Sequence, residues 1–274
     1  MKTTQLSLPL LIGFFIGCST TEKGSVIKAG NTITLTGCPG ISTETKTAIN
    51  TLAGHMNRVN LSDSLLLDLK KLRGLKDQLN AEVRMFSQDS IADIDSCAKE
   101  IESLIPFLKM VWSEEGTVPF FTFNNGNLLG RAKQTKGKSD DELFGLLNDA
   151  WGSYGENTVT FPKWLTRVTD LSGYSKLGDG IHTQLLKKIA LLKKQDNKIV
   201  TEEAGKLYVL VTDDFFSKSS YGNSRESVLK ELTGILSDKE LLTEADRMKL
   251  TERIKQLQTE KLQFDCKTLD CHFE

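Results

Sequence analysis

From Leu65 the apolar residues recur at Leu65, Leu69, Leu72, Leu79, Val83 and Phe86, a rhythm of fours and threes broken only by Lys76. A chain with that period buries one continuous stripe only as a helix, because a strand needs a period of two. After the polar connector Ser87-Gln88-Asp89-Ser90 the rhythm resumes at Ile91, Ile94, Ala98, Ile101, Ile105, Leu108 and Trp112. Two such seams joined by a short connector predict an antiparallel helical hairpin. Pro106 lies inside the second seam and is expected to kink that helix or end it early, since it lacks an N–H and clashes with the preceding turn.

The C-terminal part repeats the pattern. Ile181, Leu185, Ile189 and Leu192 form one face opposite Lys187-Lys188 and Lys193-Lys194, and Val228, Leu229, Leu232, Ile235 and Leu236 form another. Ser237-Asp238-Lys239-Glu240 reads as a capping box or a tight helix-to-helix turn, after which Leu250, Ile254, Leu257 and Phe264 mark a last helix. Residues 204–215 have strand propensity, yet Ala204, Leu207, Tyr208, Val211 and Phe215 share a helical face, and helix is the reading adopted. Two stretches look non-helical. Val26 to Thr36 alternates around Gly30-Asn31 as a small hairpin would, and Glu114 to Ser139 carries Pro119, Asn124-Asn125-Gly126 and Gly130. The expected fold class is therefore mainly α, a helical bundle of antiparallel helical hairpins with room for a small N-terminal β-hairpin. The expected organisation is 1–17 as a signal peptide, 18–29 as a lipidated tether and 30–114 as an N-terminal helical region. A loop or hairpin connection at 115–139 then leads to a C-terminal helical region at 140–274, the two helical regions being free to form one domain.

The chain opens with Met1-Lys2, an apolar run from Leu6 to Ile16, and Gly17-Cys18-Ser19. A basic start, a short apolar core and a small residue before the cut are the marks of a secretory signal, and the run is too short to span a bilayer. Phe15-Ile16-Gly17-Cys18 resembles the lipobox of bacterial lipoproteins, although Phe15 stands where that family prefers Leu or another aliphatic residue. The resemblance covers the signal alone. It implies that Cys18 becomes the lipidated first residue of the mature chain, carrying palmitate-type chains that attach it to a membrane. The competing reading is ordinary cleavage after Ser19. Ser19 in place of Asp implies, by the same resemblance, no inner-membrane retention, so the outer membrane or cell surface is favoured within the cell envelope. Periplasmic or secreted release is the alternative.

With Cys18 set aside, Cys38, Cys97, Cys266 and Cys271 remain, an even set that invites disulfides in an oxidising compartment. Of the three possible pairings, Cys38 with Cys97 and Cys266 with Cys271 is the expectation. A metal site at Cys266, Cys271 and His272 is the other reading of the tail, but the spacing is wrong for structural zinc. No metal and no cofactor are called for by any motif.

Net charge is −1, with 26% charged residues and no long basic stripe, which argues against nucleic acid as a partner. Ala132 to Ser139 satisfies a loose phosphate-loop pattern. It lacks a buried strand leading into it and places Asp140-Asp141-Glu142 where phosphate would sit; Ser139 as a helix cap with Glu142 completing a capping box is simpler. His182 in Gly178-Asp179-Gly180-Ile181-His182 is the best catalytic candidate, with Asp179 as partner, but the bland reading is a side chain facing water on a first helical turn. His55 reads as a surface or boundary residue, and Asp213-Asp214 lacks the oxygen spacing of a calcium loop.

Trp112, Phe120, Phe121, Phe123, Trp151, Phe161 and Trp164 cluster in sequence. They are core residues in the simpler reading and an aromatic groove for an apolar ligand or partner peptide in the functional one. The favoured function is an exported, lipid-anchored envelope protein with a binding or scaffolding role, its partners being the membrane and a protein or apolar ligand. No catalytic site is evident and the reading leans away from an enzyme. An exported enzyme with a scattered active site, or a helical carrier of an apolar ligand, are the alternatives.

Overall fold

The structure is a computed structural model that describes residues 35, 38–56, 64–83, 91–112, 118–151, 162–167 and 173–266. Among these residues it is mainly helical, with nine α-helices and two small antiparallel β-hairpins. Cys18, the tether, the hairpin expected at Val26 to Thr36, Phe86, Phe161, Cys271 and His272 lie outside the described residues.

Helix α1 (Thr43–Met56) starts where Ser42 Oγ accepts the Thr45 N–H at 3.2 Å, an N-cap bond that satisfies one of the open donors of the first turn. Helix α2 (Ser64–Val83) buries Leu65, Leu66, Leu69, Leu72, Leu75, Leu79 and Val83. The two helices run antiparallel, since Glu82 reaches back to Ser42 and Thr45 while His55 meets Asp68. The main partner of α2 is thus α1 rather than the helix that follows it, which corrects the pairing expected from the two seams. That next helix, α3 (Ile91–Leu104), packs on α1 and carries Cys97, which is disulfide-bonded to Cys38.

Pro106 ends α3 early. The helix expected to continue to Trp112 stops at Leu104, and Leu108 and Trp112 lie instead in strand β1 (Leu108–Trp112), paired with β2 (Pro119–Phe123) in the register Leu108↔Phe123 to Trp112↔Pro119. The Asn80 side chain of α2 donates to the Phe121 carbonyl at 3.0 Å and accepts the Phe121 N–H at 2.5 Å, so an amide stands in for a third strand along the β2 edge. Asn124 then caps α4 (Asn125–Ala132) by accepting the Asn127 N–H, so the stretch 115–139 holds a strand and a helix as well as connections.

Helix α5 (Ser139–Trp151) packs on α4. Strands β3 (Leu165–Arg167) and β4 (Gly173–Ser175) form the second hairpin. Two antiparallel helical pairs complete the fold: α6 (Ile181–Leu192) with α7 (Lys198–Ser217), and α8 (Arg225–Ser237) with α9 (Glu244–Thr259). Residues 204–215 are helical within α7, and Ser237 to Glu240 is the α8–α9 turn. Phe264 lies beyond α9 and stacks on Tyr221. A single apolar cluster runs through both halves.

Among the described residues no helix is long and apolar enough to cross a membrane. Disulfides belong to oxidising, extracytoplasmic surroundings, and Cys38–Cys97 is one; Cys266 is disulfide-bonded as well. Replacing Cys38 and Cys97 together with serine should lower stability in urea unfolding by about 2 to 4 kcal/mol, with the signal seen also when the wild type is reduced.

Candidate functional site

Charged residues on apolar helix faces are costly unless paired, so their partners show what the fold uses them for. Besides Lys76 and Asp140, five are largely buried among the described residues: Asp68, Glu203, Asp214, Glu231 and Arg253. Each falls three residues after a buried apolar residue, namely Leu65, Val200, Val211, Val228 and Leu250, and so on the inward stripe of its helix.

Asp214 on α7 is the centre of a sealed cluster. Its Oδ2 accepts from Ser175 Oγ at 2.5 Å and from His182 Nε2 at 2.8 Å. His182 is fully buried between Trp164 and Phe215, with ring centroids 6.5 and 5.5 Å away. This corrects the reading of His182 as a solvent-facing residue with Asp179 as its partner; Asp179 instead accepts from the Asn223 amide. Although serine, histidine and aspartate meet here, they cannot act as a nucleophile and its base. Ser175 gives its proton to the aspartate, not to the histidine, and no solvent reaches either. Next to this cluster Arg253 donates to the carbonyls of Phe215 and Lys218 and to Tyr221 Oη, tying down the C-terminal end of α7.

The glycine-rich turn before α6 is likewise spent on structure. The N–H groups of Gly178, Gly180 and Thr183 and the Thr183 hydroxyl all donate to the Glu231 carboxylate, at 2.6 to 3.1 Å. Gly178 has φ +104, and a Cβ there would lie 2.9 Å from Asn223 Cβ, so glycine is required twice over. The phosphate-loop look-alike has a similar fate. The Asp140 carboxyl at the start of α5 accepts from Thr135 Oγ1 at 2.8 Å, and burial pushes it above the usual carboxylate range. The Glu142 carboxylate accepts from the Gln195 side chain.

Asp68 on α2 faces the opposite situation. Its side chain is fully buried, but the His55 ring it holds, Nδ1 to Oδ2 at 2.7 Å, is 35% exposed, and Lys71 Nζ lies 3.5 Å from its other oxygen. A carboxylate can only accept, so Nδ1 carries the proton and Nε2 is left for other contacts. His55 and Lys71 stand at one end of an open groove of about 660 Å³ between α1 and α2. Thr43, Glu44 and Gln78 mark the other end, and Ala48, Leu52 and Leu75 form an apolar floor. This is the one place among the described residues where an oriented histidine meets a sizeable concavity. The sequence reading missed the pair because His55 and Asp68 meet only when α1 folds back on α2; the available signal was an aspartate at a stripe position between Leu65 and Leu72.

The aromatic candidates separate into two groups. Trp112, Phe120, Phe121 and Phe123 belong to the β1–β2 hairpin, where Phe121 and Phe123 are buried and Trp112 and Phe120 half-buried. Trp151 and Trp164 are buried against each other, centroids 5.6 Å apart, beside His182. Phe121, Phe123, Trp151 and Trp164 are part of the core and Trp112 packs against it, while the open groove lies on α1 and α2. Among the described residues no group of three or more His, Cys, Asp or Glu side chains is placed to hold a metal ion.

The two halves of the chain are joined by a further ion pair. Arg73 on α2 donates to both oxygens of Glu203 on α7, at 2.8 and 2.5 Å, and Lys206 adds a bond at 2.8 Å. Burial works to raise the Glu203 carboxyl, but the bonds from Arg73 and Lys206 outweigh it and hold it below the ordinary value of 4.5.

These features define a mainly α, disulfide-bridged protein with an open groove between α1 and α2. Comparison with known proteins adds no relative: no family profile, curated protein or solved structure matches the chain.

Two outcomes follow. Asp214→Ala leaves a buried histidine and serine without their shared acceptor and should cost about 3 to 5 kcal/mol in urea unfolding. Glu203→Gln should destabilise the protein at neutral pH. Because the folded-state carboxyl is held low, its contribution is present above the ordinary 4.5 and disappears as the pH falls through the lowered value, so the gap between variant and wild type should close under acid.

Proposed function

We propose that this chain is an exported protein anchored in a bacterial cell envelope through lipid on Cys18, with a binding or scaffolding role and the α1–α2 groove as its recognition surface. The anchoring rests on the signal and on the lipobox resemblance of Phe15-Ile16-Gly17-Cys18; the disulfide chemistry of the body supports export. The observation that carries binding over catalysis is the fate of the polar residues. The serine–aspartate–histidine cluster is sealed and wired for structure, while among the described residues the accessible groove holds a histidine with no activated nucleophile beside it. Thr51, the hydroxyl one helical turn from His55, donates to its own backbone at the Thr47 carbonyl. Tight burial of the seam residues Leu69, Leu72 and Leu79 supports a packed bundle over a carrier with an apolar chamber.

An enzyme is the second reading, and the Asp68–His55 pair favours it, since an oriented imidazole with a solvent-facing nitrogen is a competent general base. It would require a substrate that brings its own nucleophile or a water held in the groove.

Intact-mass measurement of the detergent-extracted mature protein, with and without reduction and beside Cys18→Ala, tests the anchor. The expected result is a chain starting at Cys18 with added acyl mass, lost together with membrane association in the variant. A chain starting at Thr20 without lipid would overturn it.

A further inference from the structure

We infer that the α1–α2 groove binds a short extended peptide whose free carboxylate lies at the His55–Lys71 end. This deepens the binding role proposed above and rests on it. The groove runs from Thr43 to His55 along α1, about 18 Å at about 1.5 Å per residue. That length fits five or six residues of extended chain at about 3.3 Å each.

The walls explain why a peptide fits better than an acyl chain. Thr47 and Thr51 line α1, and each donates its hydroxyl proton to the carbonyl four residues back, at 2.8 Å. What those oxygens have left to offer is lone pairs, repeated about every 6 Å along the helix. Alternate N–H groups on one side of an extended peptide recur at about 6.6 Å, close enough for two of them to meet the pair. A hydrocarbon chain would leave these oxygens without donors. Alternate apolar side chains, projecting at right angles to those N–H groups, would settle on Ala48, Leu52 and Leu75.

Charge sets the direction. Lys71 Nζ, on a side chain that is 64% exposed and 3.5 Å from Asp68, keeps donors for a carboxylate at one end and Glu44 stands at the other, so a peptide lies with its carboxylate at the Lys71 end and its amino end at Glu44. Gly74 keeps the middle open: it is a mid-helix glycine, and a Cβ placed on it would meet nothing within 4 Å. Neither backbone conformation nor helix packing requires glycine there, and a larger side chain would project into the groove.

The test titrates the full mature chain with a six-residue peptide of alternating valine and alanine with free ends, and with its C-terminal amide, by saturation-transfer NMR. Expected are binding of the free acid below about 1 mM and at least about tenfold weaker binding of the amide. Gly74→Leu should weaken the free acid by at least about tenfold without lowering the unfolding midpoint, because leucine is the better helix former and the site is open. Lys71→Gln should remove the preference for acid over amide. Absence of binding at millimolar peptide, equal binding of acid and amide, or binding indifferent to Gly74→Leu would each overturn the inference. The acyl mass of the same preparation keeps the two proposals apart. An acylated protein that ignores the peptide sinks the groove assignment and leaves the anchor standing, and an unacylated protein that binds does the reverse.

Discussion

Burial of α2 on three sides is the constraint from which most of the structure follows. Its leucines meet α1 on one flank, the β1–β2 hairpin on another and α7 across the middle of the molecule. The polar residues on its inward faces therefore take partners within the protein. Asp68 holds His55, Arg73 grips Glu203, the Lys76 ammonium pairs with Asp77 and lies 5.6 Å from the Phe123 ring centroid, Asn80 closes the β2 edge, and Glu82 takes the hydroxyls of Ser42 and Thr45. The apolar stripe supplies the bulk of the stabilisation, and the polar contacts to other elements fix which neighbour sits where, since a helix slid by one turn would lose all of those together.

Two aspartate–histidine pairs show how surroundings assign a role to the same chemistry. Asp214 and His182 lie among Trp164 and Phe215, closed to solvent and shared with Ser175, so the pair ties β4 and α6 to α7. In the Asp68–His55 pair the ring emerges at a groove. A buried carboxylate orients the imidazole in both, but only the second leaves a nitrogen for something outside the chain. The same logic separates the two glycine-containing turns. The loop before α6 has the converging N–H groups of an anion site, and the Glu231 carboxylate already occupies it.

Helix positions were legible because the period of apolar residues is a local property. The seams at Leu65 to Val83, Ile181 to Leu192 and Leu250 to Leu257 correspond to α2, α6 and α9. Legibility failed at Pro106, where the apolar rhythm continued past the point at which the backbone could stay helical, so Leu108 and Trp112 kept the right spacing for the wrong element. It failed again for pairing. The connector after α2 is short, yet α2 packs chiefly on the helix before it, because the length of a connector limits which helices can meet without deciding which bury more surface. The buried acids Asp68 and Asp214 were visible as interruptions of an apolar stripe, but their partners lie 13 and 32 residues away in sequence, a distance no periodicity can bridge.

The amino-acid sequence by itself determined that the chain is mainly helical and where most of its helices lie, since both depend on composition and spacing within a few turns. The tertiary structure alone decided that α1 folds back on α2, that His182 is sealed while His55 is open, and that a groove opens between the first two helices. Those outcomes depend on which faces are buried against each other, and burial is a property of the assembled chain.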